Sequence, residues 1–166
     1  MRIAIVSSSG LYAKELGKFL PEGVTEIVSR GTEGVETQAR EYAQAKGIPF
    51  TGCLADYEKR GREALLERAG LVLAFWDGLS QETQLVLEAC TERGIAVRMF
   101  LTLDGGEFLE QEAKHAQVFS ILAQAAQKKG KSLSKMSAGE LRPGELIRLM
   151  KAVVKARRKT KGKRES

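Results

Sequence analysis

The chain has 166 residues, 43% of them apolar and 29% charged, with a net charge of +6; this is enough apolar material for one packed domain with an appendage. No apolar run approaches the ~18 residues of a membrane-crossing helix, and Met1 is not followed by the basic and apolar segments of a secretion signal. A single histidine, His115, excludes a His-rich metal centre.

The first predicted strand is Ile3–Ser7, an apolar run ending in Ser7-Ser8-Ser9-Gly10. Tyr12, Leu16, Phe19 and Leu20 recur at helical spacing, and Pro21-Glu22-Gly23 closes that helix. Val24–Ser29 is the second strand. It turns through Arg30-Gly31 into a helix that carries Val35, Ala39, Tyr42 and Ala43 and stops at Lys46-Gly47. The first amides of a helix have no intrahelical partner, so a strand, a glycine turn and a helix start form a candidate anion site. Gly31 and Gly34 would admit a ligand close to the backbone, and Thr32 is placed to cap the helix. The competing reading is a turn that needs glycine for its geometry alone.

Ile48–Thr51 is a short third strand. Asp56–Arg68 reads as a charged helix with Leu65 and Leu66 as its few apolar residues. Leu71–Trp76, the most hydrophobic run, reads as a central strand ending in Asp77-Gly78-Leu79-Ser80-Gln81-Glu82-Thr83. A helix through Leu85, Val86, Ala89 and Cys90 stops at Arg93-Gly94, and Ile95–Leu101 is the fifth strand. Strands alternating with helices predict an α/β fold, a doubly wound, Rossmann-like parallel sheet of about five strands. Ligands in such folds sit beyond the carboxyl ends of the strands. Three loops meet that description: 7–10, 29–34 and 77–83. The two cysteines, Cys53 and Cys90, are far apart and outside any CxxC pair, which fits core thiols in a reducing cytoplasm better than a disulfide framework.

After a break at Asp104-Gly105-Gly106 the pattern changes. Leu109, Ala113, Ala116, Phe119, Leu122, Ala123 and Ala126 form a helical stripe, residues 128–137 read as a polar, basic linker, and Pro143 starts a further helix with Leu146, Ile147, Met150, Val153 and Val154 on one face. The expected division is a sheet domain over 1–105, a helical arm over 106–156 and a basic, disordered tail over 157–166. The arm's apolar faces must be covered by the sheet domain, by each other or by a second subunit in a homodimer. Charge is divided the same way. Residues 1–127 hold 13 Lys+Arg and 18 Asp+Glu, whereas residues 128–166 hold 14 and 3. A basic tail of this kind can bind nucleic-acid phosphate or an acidic partner, or be solvated.

The run Glu26-Ile-Val-Ser-Arg-Gly-Thr-Glu-Gly-Val-Glu-Thr-Gln-Ala-Arg-Glu-Tyr-Ala43 resembles the IVSGGAxGVDxxAxxYA signature of the SLOG superfamily, in its YspA and cpYpsA-related branch. Gly47-Ile-Pro49, Asp56-Tyr57 with Gly61, and the segment from Ala69 to Thr83, similar to ADxVxAFWDGxSxGT, extend the resemblance over Met1 to Leu101. It implies a Rossmann-like domain that binds or senses a nucleotide or nucleotide derivative, with an ADP-ribose-, NAD- or AMP-like ligand. Its relatives include the LOG phosphoribohydrolases and the DNA-binding DprA proteins. Carried over, Ser29, Gly31, Gly34 and Glu36 would line one side of the pocket and Asp77, Gly78, Ser80 and Thr83 the other; Ser8 lies in the third converging loop.

The chain departs from that pattern at Arg30, where glycine is usual, at Glu36, where aspartate is usual, and at Glu82, where glycine precedes the threonine. Glu82 would repel a phosphate at the helix start unless Arg30 offsets it. The loop from Arg62 to Ala69 is shorter than usual and lacks the branch's Arg-Asn pair. Val86 stands where the phosphoribohydrolases carry their glutamate, which argues against that chemistry. No catalytic residue, metal ligand or resident cofactor is assigned. The expected function is non-catalytic nucleotide binding, with DprA-like nucleic-acid binding through the basic segment as the alternative. That alternative lacks interleaved aromatics for base stacking.

Overall fold

In a computed structural model the residues described are 1–52, 58–102 and 107–128. The strands are β1 (Arg2–Ser7), β2 (Glu26–Ser29), β3 (Phe50–Gly52), β4 (Leu71–Trp76), β5 (Val97–Leu101) and β6 (Leu109–Gln111), and the helices are α1 (Val35–Lys46), α2 (Glu58–Arg68), α3 (Gln81–Arg93) and α4 (Ala116–Lys128). The sheet order is β3-β2-β1-β4-β5-β6. The first five strands are mutually parallel, as the alternation predicts, and β6 pairs antiparallel with β5.

The central strands are buried on both faces, so their residues divide by the two-residue period of a strand. Ala4, Val6, Val72, Ala74, Trp76, Met99 and Leu101 face one core together with Leu65 and Leu66 of α2, Val86, Leu87 and Cys90 of α3, and Phe119 of α4. Ile3, Ile5, Leu73, Phe75 and Phe100 face the other, under Val35, Ala39 and Ala43 of α1. In that second core Phe75 stacks on Phe100 at 5.1 Å between centroids, while Phe19 and Phe108 meet Phe75 edge-on at 5.5 and 5.2 Å.

Two segments differ from their sequence reading. The helix expected after β1 is reduced to a 3-10 turn at Leu16–Phe19. Gln38 of α1 accepts from the Ala13 backbone N–H and donates to its carbonyl, both at 2.8 Å. Those bonds take the groups a helix would use, and Glu15 at φ 75° turns the chain in the left-handed region. Beyond β5, the helical stripe expected from Leu109 begins only at Ala116. Residues 109–111 form β6 instead, held by two bonds from the Arg98 guanidinium to the Glu110 carboxylate at 2.8 and 3.0 Å. Phe108 enters the aromatic cluster while Leu109, expected to be buried, is 46% exposed. Phe119 is buried as expected, and Leu122 packs partly against the core.

The division expected at residue 105 therefore falls between β5 and β6. Cys53, the loop at 56–57, the break at 104–106 and everything from 129 onward, including the Pro143 helix and the basic tail, lie outside the described residues. Among the described residues no helix is long and apolar enough to cross a membrane.

Phe75 is fully buried at the centre of the aromatic cluster. Phe75→Ala should lower unfolding free energy by ~3–5 kcal/mol in urea denaturation, the cost of a large cavity in a packed core.

Candidate functional site

The strand order reverses between β1 and β4, so the crevice of this fold lies beyond their carboxyl ends. Ser8 follows β1 and Asp77 follows β4, and the two close that point. The Ser8 hydroxyl donates to Asp77 Oδ1 at 3.0 Å and accepts from the Asp77 backbone N–H at 3.1 Å. The same Oδ1 accepts from the backbone N–H groups of Leu79 at 2.8 Å and Ser80 at 2.9 Å. Ser80 caps α3 by accepting from the Thr83 N–H at 3.4 Å, and its carbonyl accepts from Trp76 Nε1 at 3.0 Å. Ser8, Asp77, Ser80 and Thr83 are thus one hydrogen-bonded chain. The amides of Leu79 and Ser80 ahead of α3, and that of Thr83 in its first turn, are taken by the protein's own side chains.

Gly78 sits at φ 81°, and a Cβ there would come within 2.9 Å of the Ala123 Cβ on α4. Its glycine is explained by the left-handed turn and the approach of α4. Gly34, at φ 115°, is the N-cap of α1, and a Cβ on it would lie 2.4 Å from the Leu11 carbonyl oxygen. Gly31 is at φ 78°, and its N–H donates to the buried Ser29 hydroxyl at 3.4 Å. Thr32 does not cap α1. Among the described residues its buried hydroxyl has no partner, and the N-cap position makes no side-chain bond.

The second cluster surrounds Arg30, whose side chain is 9% exposed. Its Nε donates to Glu36 Oε1 at 3.2 Å and its Nη2 to the Ser7 carbonyl at 3.4 Å, while Nη1 lies 3.5 Å from Glu82 Oε1. The offset of Glu82 expected of Arg30 is therefore present, and it is shared. Arg30 stands between two carboxylates, one of which, Glu36, is wholly buried. Burial pushes the Glu36 carboxyl above its ordinary range, and the charge and hydrogen bonds of Arg30, with a bond from Ser29, only partly offset that.

Arg62 of α2 completes the cluster, with Nε 4.0 Å from Glu82 Oε1. Nothing in the sequence marked it out from the other charges of its helix. Arg62 also lines a groove of about 300 Å³ between α2 and α3, bounded by Glu63, Leu85, Glu88, Ala89, Glu92 and Arg93.

Several of the chemistry-bearing groups among the described residues are already engaged or buried. Asp77 Oδ1 is occupied by three donors, two of them amides of the loop it orders, and Val86, 1% exposed, is packed in the core. Burial pushes the Cys90 thiol up to about 11, which keeps it protonated near neutral pH. His115 is partly exposed beside Glu112. Among the described residues no group of His, Cys, Asp and Glu is arranged to hold a metal ion. Comparison with protein-family models, with curated proteins and with solved structures gives no match.

Because the folded state holds Glu36 above its ordinary pKa, its contribution to stability is full below the unfolded value and is lost as pH rises through the folded one. Glu36→Gln should accordingly be at least as stable as wild type at pH 7, and that advantage should shrink as pH falls toward the ordinary glutamate range. Arg30→Ala leaves Glu36 buried without its cation and should cost ~3–5 kcal/mol at pH 7, much of it recovered in Arg30→Ala/Glu36→Gln. Urea denaturation from pH 4 to 8 reads all three.

Proposed function

We propose that this protein binds a nucleotide or nucleotide derivative at the β1/β4 crevice and acts as a sensor or carrier of that ligand. The observation that carries the reading is convergence. The loops after β1, β2 and β4 meet at the position where doubly wound sheets take ligands, and buried polar groups without partners are gathered there. The SLOG-like signature supports it, since by that resemblance Ser29, Gly31, Gly34 and Glu36 would line one side of the crevice and Asp77, Ser80 and Thr83 the other.

A non-catalytic role is favoured by Val86 in the core and by Asp77 being engaged in ordering its own loop. The charge division of the sequence supports a second reading, in which residues 128–166 bind nucleic-acid backbone. That binding would weaken steeply with salt and vanish on truncation at Gly130.

Calorimetric titration with ADP-ribose, NAD, AMP and GMP tests the first reading. At least one should bind, and Glu82→Gln, which removes a carboxylate from the crevice while keeping its size, should strengthen binding of the phosphate-bearing ligand by ~1 kcal/mol. No binding to either protein would defeat the reading.

A further inference from the structure

We propose that the ligand of this crevice is recognised by its hydroxyl groups, a ribose diol donating to Glu36 and Thr32, with the phosphate held outside the Arg30 cluster. The proposal rests on the nucleotide-binding reading and names the part of the ligand that enters.

Among the described residues, three buried side-chain atoms lack a hydrogen-bond partner: Thr32 Oγ1, Glu36 Oε2 and Arg62 Nε. All three belong to one neighbourhood. Thr32 and Glu36 flank the start of α1, Glu36 Oε1 is bound by Arg30, and Arg30 and Arg62 share Glu82. A buried carboxylate oxygen without a donor is costly, because it has left water and gained nothing in return. While Glu36 is ionised its Oε2 can only accept, so what completes it must donate. Thr32 Oγ1 can do either.

Phosphate is a poor fit at the same place. Glu36 and Glu82 already meet Arg30 and Arg62, the Leu79 and Ser80 amides ahead of α3 are taken by Asp77, and the Thr83 amide in its first turn is taken by Ser80. The first turn of α1 carries Glu36 itself, so its dipole is met by a carboxylate of the chain. A vicinal diol brings two donors, no charge and the spacing of adjacent carbons, which matches an acceptor-rich cluster better than an anion does.

The diol would meet the free Glu36 Oε2, while Oε1 keeps its bond from Arg30 Nε and the guanidinium keeps Glu82 as a second partner.

The experiment titrates the full chain with AMP, 2′-deoxy-AMP, 3′-deoxy-AMP and inorganic phosphate. AMP should bind, at least one deoxy counterpart should bind roughly tenfold more weakly, and inorganic phosphate at millimolar concentration should not compete. Glu36→Gln keeps the bond from Arg30 and puts an amide donor where the free oxygen stood, so its preference for AMP over the deoxy form should fall to about threefold or less. Thr32→Val, at a half-exposed turn position, should reduce the preference while leaving stability unchanged. Equal affinity for all three nucleotides would overturn the hydroxyl assignment and leave nucleotide binding intact, as would competition by phosphate. No nucleotide binding at all would overturn both.

Discussion

The buried Glu36 carboxylate is the constraint on which the site depends. It sits in the first turn of α1 with no exposure, and among the described residues only Arg30 supplies a full opposing charge. A carboxylate so placed cannot tolerate rearrangement of the β2–α1 turn, because any displacement of Arg30 leaves an unpaired charge in a low-dielectric interior. The turn is accordingly over-determined. Gly34 admits the Leu11 backbone, Gln38 clamps Ala13, and Gly10 donates to the Glu33 carbonyl at 3.1 Å. Local geometry that looks like loop detail is set by the electrostatics of one side chain.

The same residue links the two halves of the crevice. Arg30 comes from the end of β2, reaches the Ser7 carbonyl at the end of β1 and meets Glu82 in the first turn of α3. Ser8 and Asp77 join β1 to β4 directly beside it. Three strands of the sheet are therefore cross-tied at their carboxyl ends by side chains, in addition to their backbone ladders. Removing charge from this network at one point changes the balance at the others, so Glu36 and Arg30 are expected to respond differently to substitution.

Much of the architecture was legible because the period-2 and period-3.6 patterns are strong in β1, β4, α1 and α3, and because Gly47 and Gly94 close α1 and α3 in left-handed caps. Two segments were misread for identifiable reasons. Residues 11–20 have helical spacing, but Gln38, distant in sequence, captures the Ala13 backbone. Leu109 continues an apolar stripe, but pairing with β5 and the Arg98–Glu110 fork outweigh it. Of the site, the Arg30–Glu82 opposition could be foreseen from two unusual residues in a motif. The burial of Glu36 and the arrival of Arg62 could not, since both depend on helices meeting across the sheet. Gly78 has a reason to be glycine that the sequence did not show, the approach of Ala123 on α4.

That contact between Gly78 and Ala123 also bears on how the chain can drift. Position 78 is held to glycine both by the approach of the Ala123 side chain and by its own positive φ. Helix α4 is further tied to α3 by the Ser120 hydroxyl donating to Gln84 at 3.2 Å. The loop that orders the crevice and the helix leading into the basic segment must therefore vary as a unit. A lineage that exchanged α4 for another helix would have to refit the β4 loop at the same time, which makes α4 a heritable part of this domain's interior.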